Sequence, residues 1–205
     1  MDLDSWITNH NFKLWNNQFI NFQASFNKSK ILDELLGLGS EPLPNVFMAV
    51  PTIYVNLIDE IQNRNLDKVG VFDRFPPLFD KSGENILNEV NFDHIRLMVS
   101  GSAAMPRPIS DQWERLSNVK LLERYGMTEI GMALSQSLDE DSRLDGAVGQ
   151  PMLGVSARIR TEDDILVPFD KNTNVHGELE IKTESIFSEY WKLPAKTKDE
   201  FTGIG

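Results

Sequence analysis

Apolar and polar positions along the chain change period several times, and each change marks an element. Within the Asn-rich residues 1–30, the aromatics Trp15, Phe19, Phe22 and Phe26 recur at helical spacing, which predicts an amphipathic helix over the second half of that stretch. A short apolar run from Ile31 to Leu38 then meets Gly37-Leu38-Gly39-Ser40, Pro42 and Pro44, a helix stop and turn. Asn45-Val46-Phe47-Met48-Ala49-Val50 has the continuous apolar character of a buried strand. Pro51-Thr52 opens a helix whose apolar face takes in Ile53, Leu57 and Ile61, at i, i+4 and i+8. Residues 64–91 are charged and broken by Pro76-Pro77 and Gly83, so they are expected to be loop-rich with some helix.

The next strand is expected from Ile95 to Val99. It runs into small residues, Ser100 to Ala104, before Pro106 and Pro108 lead a helix with Ile109, Trp113 and Leu116 on one face. Strand, small-residue turn and helix together let a backbone approach a ligand closely. Val119 to Leu122 form a second short strand that delivers Arg124 to Glu129 at its carboxyl end, where open α/β sheets place ligands. After Leu134 the period becomes two. Val155 to Arg160 and Leu179 to Lys182 alternate apolar and polar residues, as half-exposed antiparallel strands do. The expected class is α/β, with an α/β sheet segment over 45–135, a β-rich segment over 136–205, and residues 1–44 unassigned.

Composition narrows the function classes. With 31 acidic against 20 basic residues the net charge is −11, which argues against nucleic acid as a partner, since phosphate neutralisation needs a basic face. The absence of cysteine excludes disulfides, thiolate nucleophiles and Cys-based zinc sites. His10, His94 and His176 are far apart and lack partners at metal-ligand spacing; His94 beside Asp93 reads as a surface pair at a strand edge. Every apolar run is interrupted too soon to serve as a transmembrane segment. The start Met1-Asp2-Leu3-Asp4, with Arg64 the first arginine, lacks both the Arg-rich transit pattern and a secretory apolar core, so read literally it keeps the chain in the cytosol.

Residues 123–132, Glu-Arg-Tyr-Gly-Met-Thr-Glu-Ile-Gly-Met, carry the densest chemistry. By themselves they read as a tight turn into a helix, with Thr128 as N-cap and Glu129 favoured in the first turn by the helix dipole. Such an N-terminus also suits phosphate. Gly101-Ser102-Ala103-Ala104 by itself reads as an ordinary strand-to-helix turn.

Taken in order along the chain, these segments resemble a family. Tyr125-Gly126-Met127-Thr128-Glu129 resembles the nucleotide-binding signature of the adenylate-forming acyl-CoA synthetases, and Val99-Ser100-Gly101-Ser102-Ala103-Ala104-Met105-Pro106 the loop that precedes it. Gly177-Glu178-Leu179-Glu180-Ile181-Lys182, and Tyr190-Trp191-Lys192-Leu193-Pro194 followed by Phe201-Thr202, are similar to the next two landmarks, which belong to the fold more than to the chemistry. The resemblance runs from about Asn45 to Gly205, with residues 1–44 not expected to belong to the family fold, and is closest to the mitochondrial-type malonyl-CoA synthetases, which carry Glu-Arg-Tyr-Gly-Met-Thr-Glu as here. It implies the central part of the large N-terminal domain of an adenylate-forming enzyme, with a β-rich C-terminal segment, and a mitochondrial setting that this N-terminus does not support.

The chemistry so implied joins a carboxylic acid to CoA: the carboxylate attacks the α-phosphorus of ATP, pyrophosphate leaves, and the CoA thiol displaces AMP. ATP, Mg2+ and CoA are therefore expected. The resemblance makes Glu129 the magnesium-associated carboxylate and Thr128 the phosphate-contacting hydroxyl, the two catalytic candidates. It places Tyr125 beside adenine, Gly126 where close backbone approach is needed, and Met127 with Gly101, Ser102 and Ala103 in the lining.

Arg124 is the candidate for substrate choice. A dicarboxylate such as malonate or a methyl-substituted relative leaves one carboxylate unreacted in the pocket, and burying that charge without a cation is very costly. A guanidinium meets it with two parallel hydrogen bonds. The other reading of Arg124 is a structural pair with a nearby carboxylate; Glu123, adjacent in a strand, points to the opposite face. A monocarboxylic fatty acid is the alternative substrate, and a non-catalytic nucleotide-binding or interaction remnant the alternative class. No Ser/Thr/Gly-rich loop ending in Pro-Lys precedes residue 45, and neither the family's Thr-Gly-Asp nor its small lysine-bearing domain occurs in these residues. The 205 residues alone are accordingly expected not to turn over.

Overall fold

The residues from Leu122 to Met127 form the central strand of a five-stranded sheet in the computed structural model. The structure describes residues 11–14, 18–21, 26–38, 43–64, 66, 92–169 and 174–202. Two compact units divide the chain: Met1–Pro44 with Asn56–Phe92, and Asn45–Val55 with Asp93–Gly205.

In the first unit, Asn11–Leu14 (β1) pairs antiparallel with Gln18–Asn21 (β2), Leu14 opposite Gln18. The amphipathic helix expected here is corrected where residues are described: β1 and β2 are strands, and among the described residues the first helix begins at Lys28. Aromatic and β-branched residues favour the pleated surface, and only three residues separate the two strands, a hairpin spacing that outweighs aromatic periodicity. Lys28–Leu35 (α1) starts on Asn27, whose side chain accepts from the Lys30 N–H, and ends in the turn Leu36-Gly37, as the stop signals predict. Gly39, Ser40 and Pro42 lie outside the described residues, as does nearly all of 64–91, the stretch expected to be loop-rich.

Pro51–Asn63 (α2) contributes its first residues to the second unit and the rest to the first. Its later turns bury Leu57, Ile58 and Ile61, while Leu32 and Leu35 of α1 are buried as well. Polar links tie the two helices. Glu60, itself buried, accepts from Ser29 Oγ at 2.6 Å and Arg64 Nε at 2.9 Å, and lies 3.5 Å from Lys28 Nζ. The Ser29 hydroxyl first, then Arg64, holds the Glu60 carboxyl below the usual carboxylate range. A depressed folded value means that this link contributes stability above the unfolded pKa of about 4.3 and loses it as pH falls through the folded value. Glu60→Gln is expected to flatten the acid limb of urea midpoint against pH; a limb as steep as that of the parent would remove Glu60 as its cause.

In the second unit the sheet order is Val46–Ala49 (β3), Leu97–Ser100 (β4), Leu122–Met127 (β5), Gly131–Ser135 (β6) and Gln150–Pro151 (β7). The first three strands are parallel and the last two antiparallel to their neighbours. Arg107–Ser117 (α3) provides the crossover from β4 to β5, as a parallel pair requires. Trp113 of α3 is fully buried, with Tyr54 set edge-on at 4.9 Å and the Tyr54 hydroxyl donating to the Val99 carbonyl at 2.9 Å. Leu97, Val99 and Leu122 form a buried cluster against which Val46 packs.

Two expectations change here. The β3 segment is half-buried, with Met48 at 55% exposure, because β3 lies at the edge of the described sheet. Asp93 and His94 occupy a turn ahead of β4, not a strand edge.

Ser156–Arg160 (β8), Leu166–Pro168 (β9) and Glu178–Lys182 (β10) make the expected antiparallel sheet, in the order β10-β8-β9. Glu180 stands opposite Arg158 in register and bridges Arg158 and Arg160, so alternation puts all three on one face. Pro194–Glu200 (α4) follows. Among the described residues no helix is long and apolar enough to cross a membrane.

Candidate functional site

The decapeptide does not turn into a helix. β5 runs through Arg124, Tyr125, Gly126 and Met127, the chain turns at Thr128 to Ile130, and β6 returns antiparallel. The N-cap role of Thr128 and the helix-dipole role of Glu129 are corrected accordingly. A hairpin wins because Gly131, at φ +67°, reverses the chain, and Met132-Ala133-Leu134 then continues as a strand against β5. The register slips between Tyr125 and Gly126, so that Tyr125 faces Leu134 and Gly126 faces Met132. This bulge needs glycine: a Cβ on Gly126 would sit 2.4 Å from the Gly131 carbonyl oxygen and 3.0 Å from Met132 Cα. The close approach expected at Gly126 is thus met first by the protein's own backbone.

β4 and β5 bring the two sequence segments together. Ser100 pairs with Glu123, and beyond that pair a Cβ on Gly101 would meet the Arg124 carbonyl oxygen at 3.3 Å. Ser102 holds φ +66°, a left-handed conformation uncommon for serine. Ser102, Ala103 and Ala104 are exposed and Gly101 half-buried. Glu123 is buried, and its Oε2 accepts from the Met105 N–H at 3.3 Å, which ties the end of the small-residue loop to β5. Burial pushes the Glu123 carboxyl up, with the Met105 N–H opposing and Asp145 adding to the rise.

Arg124 is half-buried, and its Nε is enclosed with no hydrogen-bond partner. Among the described residues it makes no ion pair. Among the described residues, the structural carboxylate pair that was its alternative reading is not formed. A buried guanidinium donor left open is costly unless a ligand meets it. Ser100 Oγ, at the end of β4, is also buried and without a partner.

Glu129 is held from a distant segment. Its carbonyl accepts from the Phe187 N–H at 2.7 Å, and its Oε1 accepts from the Tyr190 hydroxyl at 2.8 Å. The bond to Glu129 is the main reason that the Tyr190 phenol is pushed up to about 12; like any tyrosine it is a donor at neutral pH. Thr128 is exposed at the turn; Tyr125 is half-buried with its hydroxyl 3.8 Å from Met127 Sδ.

Sequence reasoning missed Tyr190 as a partner of Glu129, since 61 residues separate them and no periodicity links them. It also missed Gln136. That buried side chain accepts from the Glu123 N–H at 2.9 Å and donates to the carbonyls of Leu144 and Ala147. Arg143, buried too, donates to the carbonyls of Ser137, Leu138 and Lys120. These two residues brace the loop after β6, and nothing in their sequence context announces it.

The family described as AMP-binding enzyme matches residues 23–191. This chain belongs to it. The matched range takes in α1 and begins upstream of Asn45. As a member of the AMP-binding enzyme family the chain is 38% identical over 205 residues to the human malonate–CoA ligase ACSF3, mitochondrial, covering 92% of this chain and 33% of that protein. It is 38% identical over 162 residues to the malonate–CoA ligase of Arabidopsis thaliana, covering 78% of this chain and 22% of that protein. The crystal structure of apo MatB from Rhodopseudomonas palustris superposes with a TM-score of 0.63 at 33% identity, over 90% of this chain and 30% of that one. The chain spans about a third of the length of the curated relatives it matches, or less.

The α/β expectation is borne out by these matches. The donor set also bears on Mg2+. No cluster of three His, Cys, Asp or Glu occurs among the described residues, so these offer no cage made of protein alone. Glu129 offers one carboxylate, whose Oε2 has no partner among the described residues. One carboxylate plus substrate phosphates is a usual way to hold Mg2+, so the residues present fit a cation that arrives with a nucleotide.

Proposed function

We propose that this chain carries part of the site of an acid–thiol ligase that activates malonate, or methylmalonate, with ATP and passes the acyl group to CoA. The carboxylate oxygen bonds to the α-phosphorus as the bond to pyrophosphate breaks. The CoA sulfur then bonds to the acyl carbon and AMP leaves. The observation that carries the reading is Arg124: a half-buried guanidinium with an enclosed, unpartnered Nε, in the strand that ends at the nucleotide signature. Such a donor is suited to the second carboxylate of a dicarboxylic acid, which a fatty acid lacks. The malonate–CoA ligase names of the relatives support the same substrate class.

In this proposal Thr128 donates its hydroxyl to phosphate and Tyr125 lies beside adenine. Gly101, Ser102 and Ala103 line the pocket with Gly126 and Met127. Glu129 would hold Mg2+, which when bound screens the phosphate charge. Catalysis is then mostly positioning and charge neutralisation, because the reaction joins two anions. The mitochondrial naming of the animal relatives supports a mitochondrial setting for the ligase.

Pyrophosphate release from the folded 205-residue chain, with ATP, Mg2+ and malonate, tests the reading directly. The expected result is no release from these residues alone, and malonate-dependent release once they occupy the matching third of a malonate–CoA ligase. In that setting Glu129→Gln is expected to cut adenylation by about 10- to 100-fold at limiting Mg2+, the range seen when groups around a metal are altered. An unchanged Mg2+ titration would take Glu129 out of the site.

A further inference from the structure

Tyr190 lies in a segment that has so far counted only as a fold landmark, yet its hydroxyl reaches one specific atom, Glu129 Oε1, at 2.8 Å. The residue is fixed on several sides. Its N–H donates to Thr197 Oγ1 at 2.9 Å, and that hydroxyl in turn donates to the Leu193 carbonyl at 3.0 Å. Its ring packs on Phe187 at 4.7 Å between centroids, and Lys196 Nζ sits 4.7 Å from the ring centre. Phe187 stacks on Phe201 at 5.4 Å and donates its own N–H to the Glu129 carbonyl at 2.7 Å. The turn that bears Glu129 is therefore gripped twice, once through backbone and once through side chain.

The two grips differ in what they fix. The Phe187 bond sets where the turn lies. The Tyr190 bond sets how the carboxylate is rotated, and the other features would survive its loss. A phenol on a rigid ring, anchored by backbone and stacking, is a good device for choosing one orientation of a carboxylate. Left alone at a half-exposed turn, a glutamate would sample several rotamers, each costing entropy when a cation selects one.

We infer that Tyr190 is a positioning residue for Glu129, occupying Oε1 so that Oε2 is the oxygen left for a divalent cation brought in with a nucleoside triphosphate. This rests on the ligase reading, in which Glu129 is the carboxylate associated with the metal. Partners that hydrogen-bond a metal-binding carboxylate set its orientation, and their removal weakens metal affinity by about 10- to 100-fold.

The test uses Mn2+ as the probe, with ATP held below the protein concentration and uptake read as the Mn2+ retained with the protein on ultrafiltration, against a control with ATP alone. Tyr190→Phe keeps the ring, the Phe187 packing and the Lys196 contact while deleting the hydroxyl. It is expected to weaken Mn2+ uptake by about tenfold or more and to leave metal-free AMP binding unchanged. In a Glu129→Gln background the same change should add nothing, since its effect runs through that carboxylate. Equal Mn2+ affinity for Tyr190→Phe and the parent would overturn the positioning role and leave the ligase reading standing, because the parent still takes up the cation with ATP. Parallel losses of AMP and Mn2+ binding would reduce Tyr190 to a structural support. If the parent binds AMP but no Mn2+ with ATP, the metal role of Glu129 fails, and the role of Tyr190 with it; if it binds neither nucleotide, the ligase reading of these residues fails first.

Discussion

Arg124→Ala is expected to lower the preference for malonate over a monocarboxylic acid by roughly 30-fold to several thousand-fold, read as the ratio of kcat/KM values with these residues placed in the matching third of a malonate–CoA ligase. The magnitude follows from truncating one partner of a buried, hydrogen-bonded charge pair, which costs about 2–5 kcal/mol. Most of that is the penalty of burying the spare carboxylate with nothing to meet it. A monocarboxylic acid has no second charge to strand, so its kcat/KM should hold or rise. Arg124→Lys keeps the charge but loses the planar fork, so it should recover only part of the preference. The enclosed, unpartnered Nε makes this a sharper test than it would be for a surface arginine, because no carboxylate among the described residues pairs with the guanidinium. An unchanged ratio for Arg124→Ala would sink the substrate assignment and return the fatty-acid alternative to first place.

Elements with strong local signals were legible in the sequence. Trp113 marks the buried face of α3, and the alternation in Ser156–Arg160 and Glu178–Lys182 gives a true antiparallel pair. The helix opened by Pro51 is present, though its fully buried stripe is Tyr54, Leu57 and Ile61, with Ile53 only half-buried. Where the reading failed, a local rule competed with pairing. The aromatic spacing near residue 20 has a helical period, but β1 and β2 satisfy their backbone groups with each other. Thr128-Glu129 looks like a helix start, but the chain beyond Gly131 has a strand to pair with. The candidate site divides in the same way. Residues adjacent in sequence, Arg124 to Glu129, could be named from the chain; the Tyr190 to Glu129 bond and the Gln136 brace join residues far apart, and only the folded chain brings them into contact.

Gly126→Ala is expected to damage both stability and site, and the two losses share one cause. The added methyl group would stand 2.4 Å from the Gly131 carbonyl oxygen, 3.0 Å from Met132 Cα and 3.0 Å from Met132 Sδ. The methionine side chain can swing away; the backbone on the facing strand cannot without opening the bulge. Overpacking of this kind costs about 1–3 kcal/mol, which should appear as a lower urea midpoint with little change in slope. Relief of the clash has to separate β5 from β6 at the bulge, just before the turn that carries Thr128 and Glu129. That movement would pull Glu129 away from Tyr190 and Phe187, whose bonds of 2.8 and 2.7 Å leave little slack. Mn2+ uptake with ATP should therefore fall in Gly126→Ala by at least as much as in Tyr190→Phe, and metal-free AMP binding should fall with it. Met132→Ala, which removes the flexible neighbour but not the carbonyl, should not rescue the loss. A Gly126→Ala protein with the parental midpoint would show that the hairpin yields at the bulge without strain, and that glycine is used there for the approach of a ligand instead.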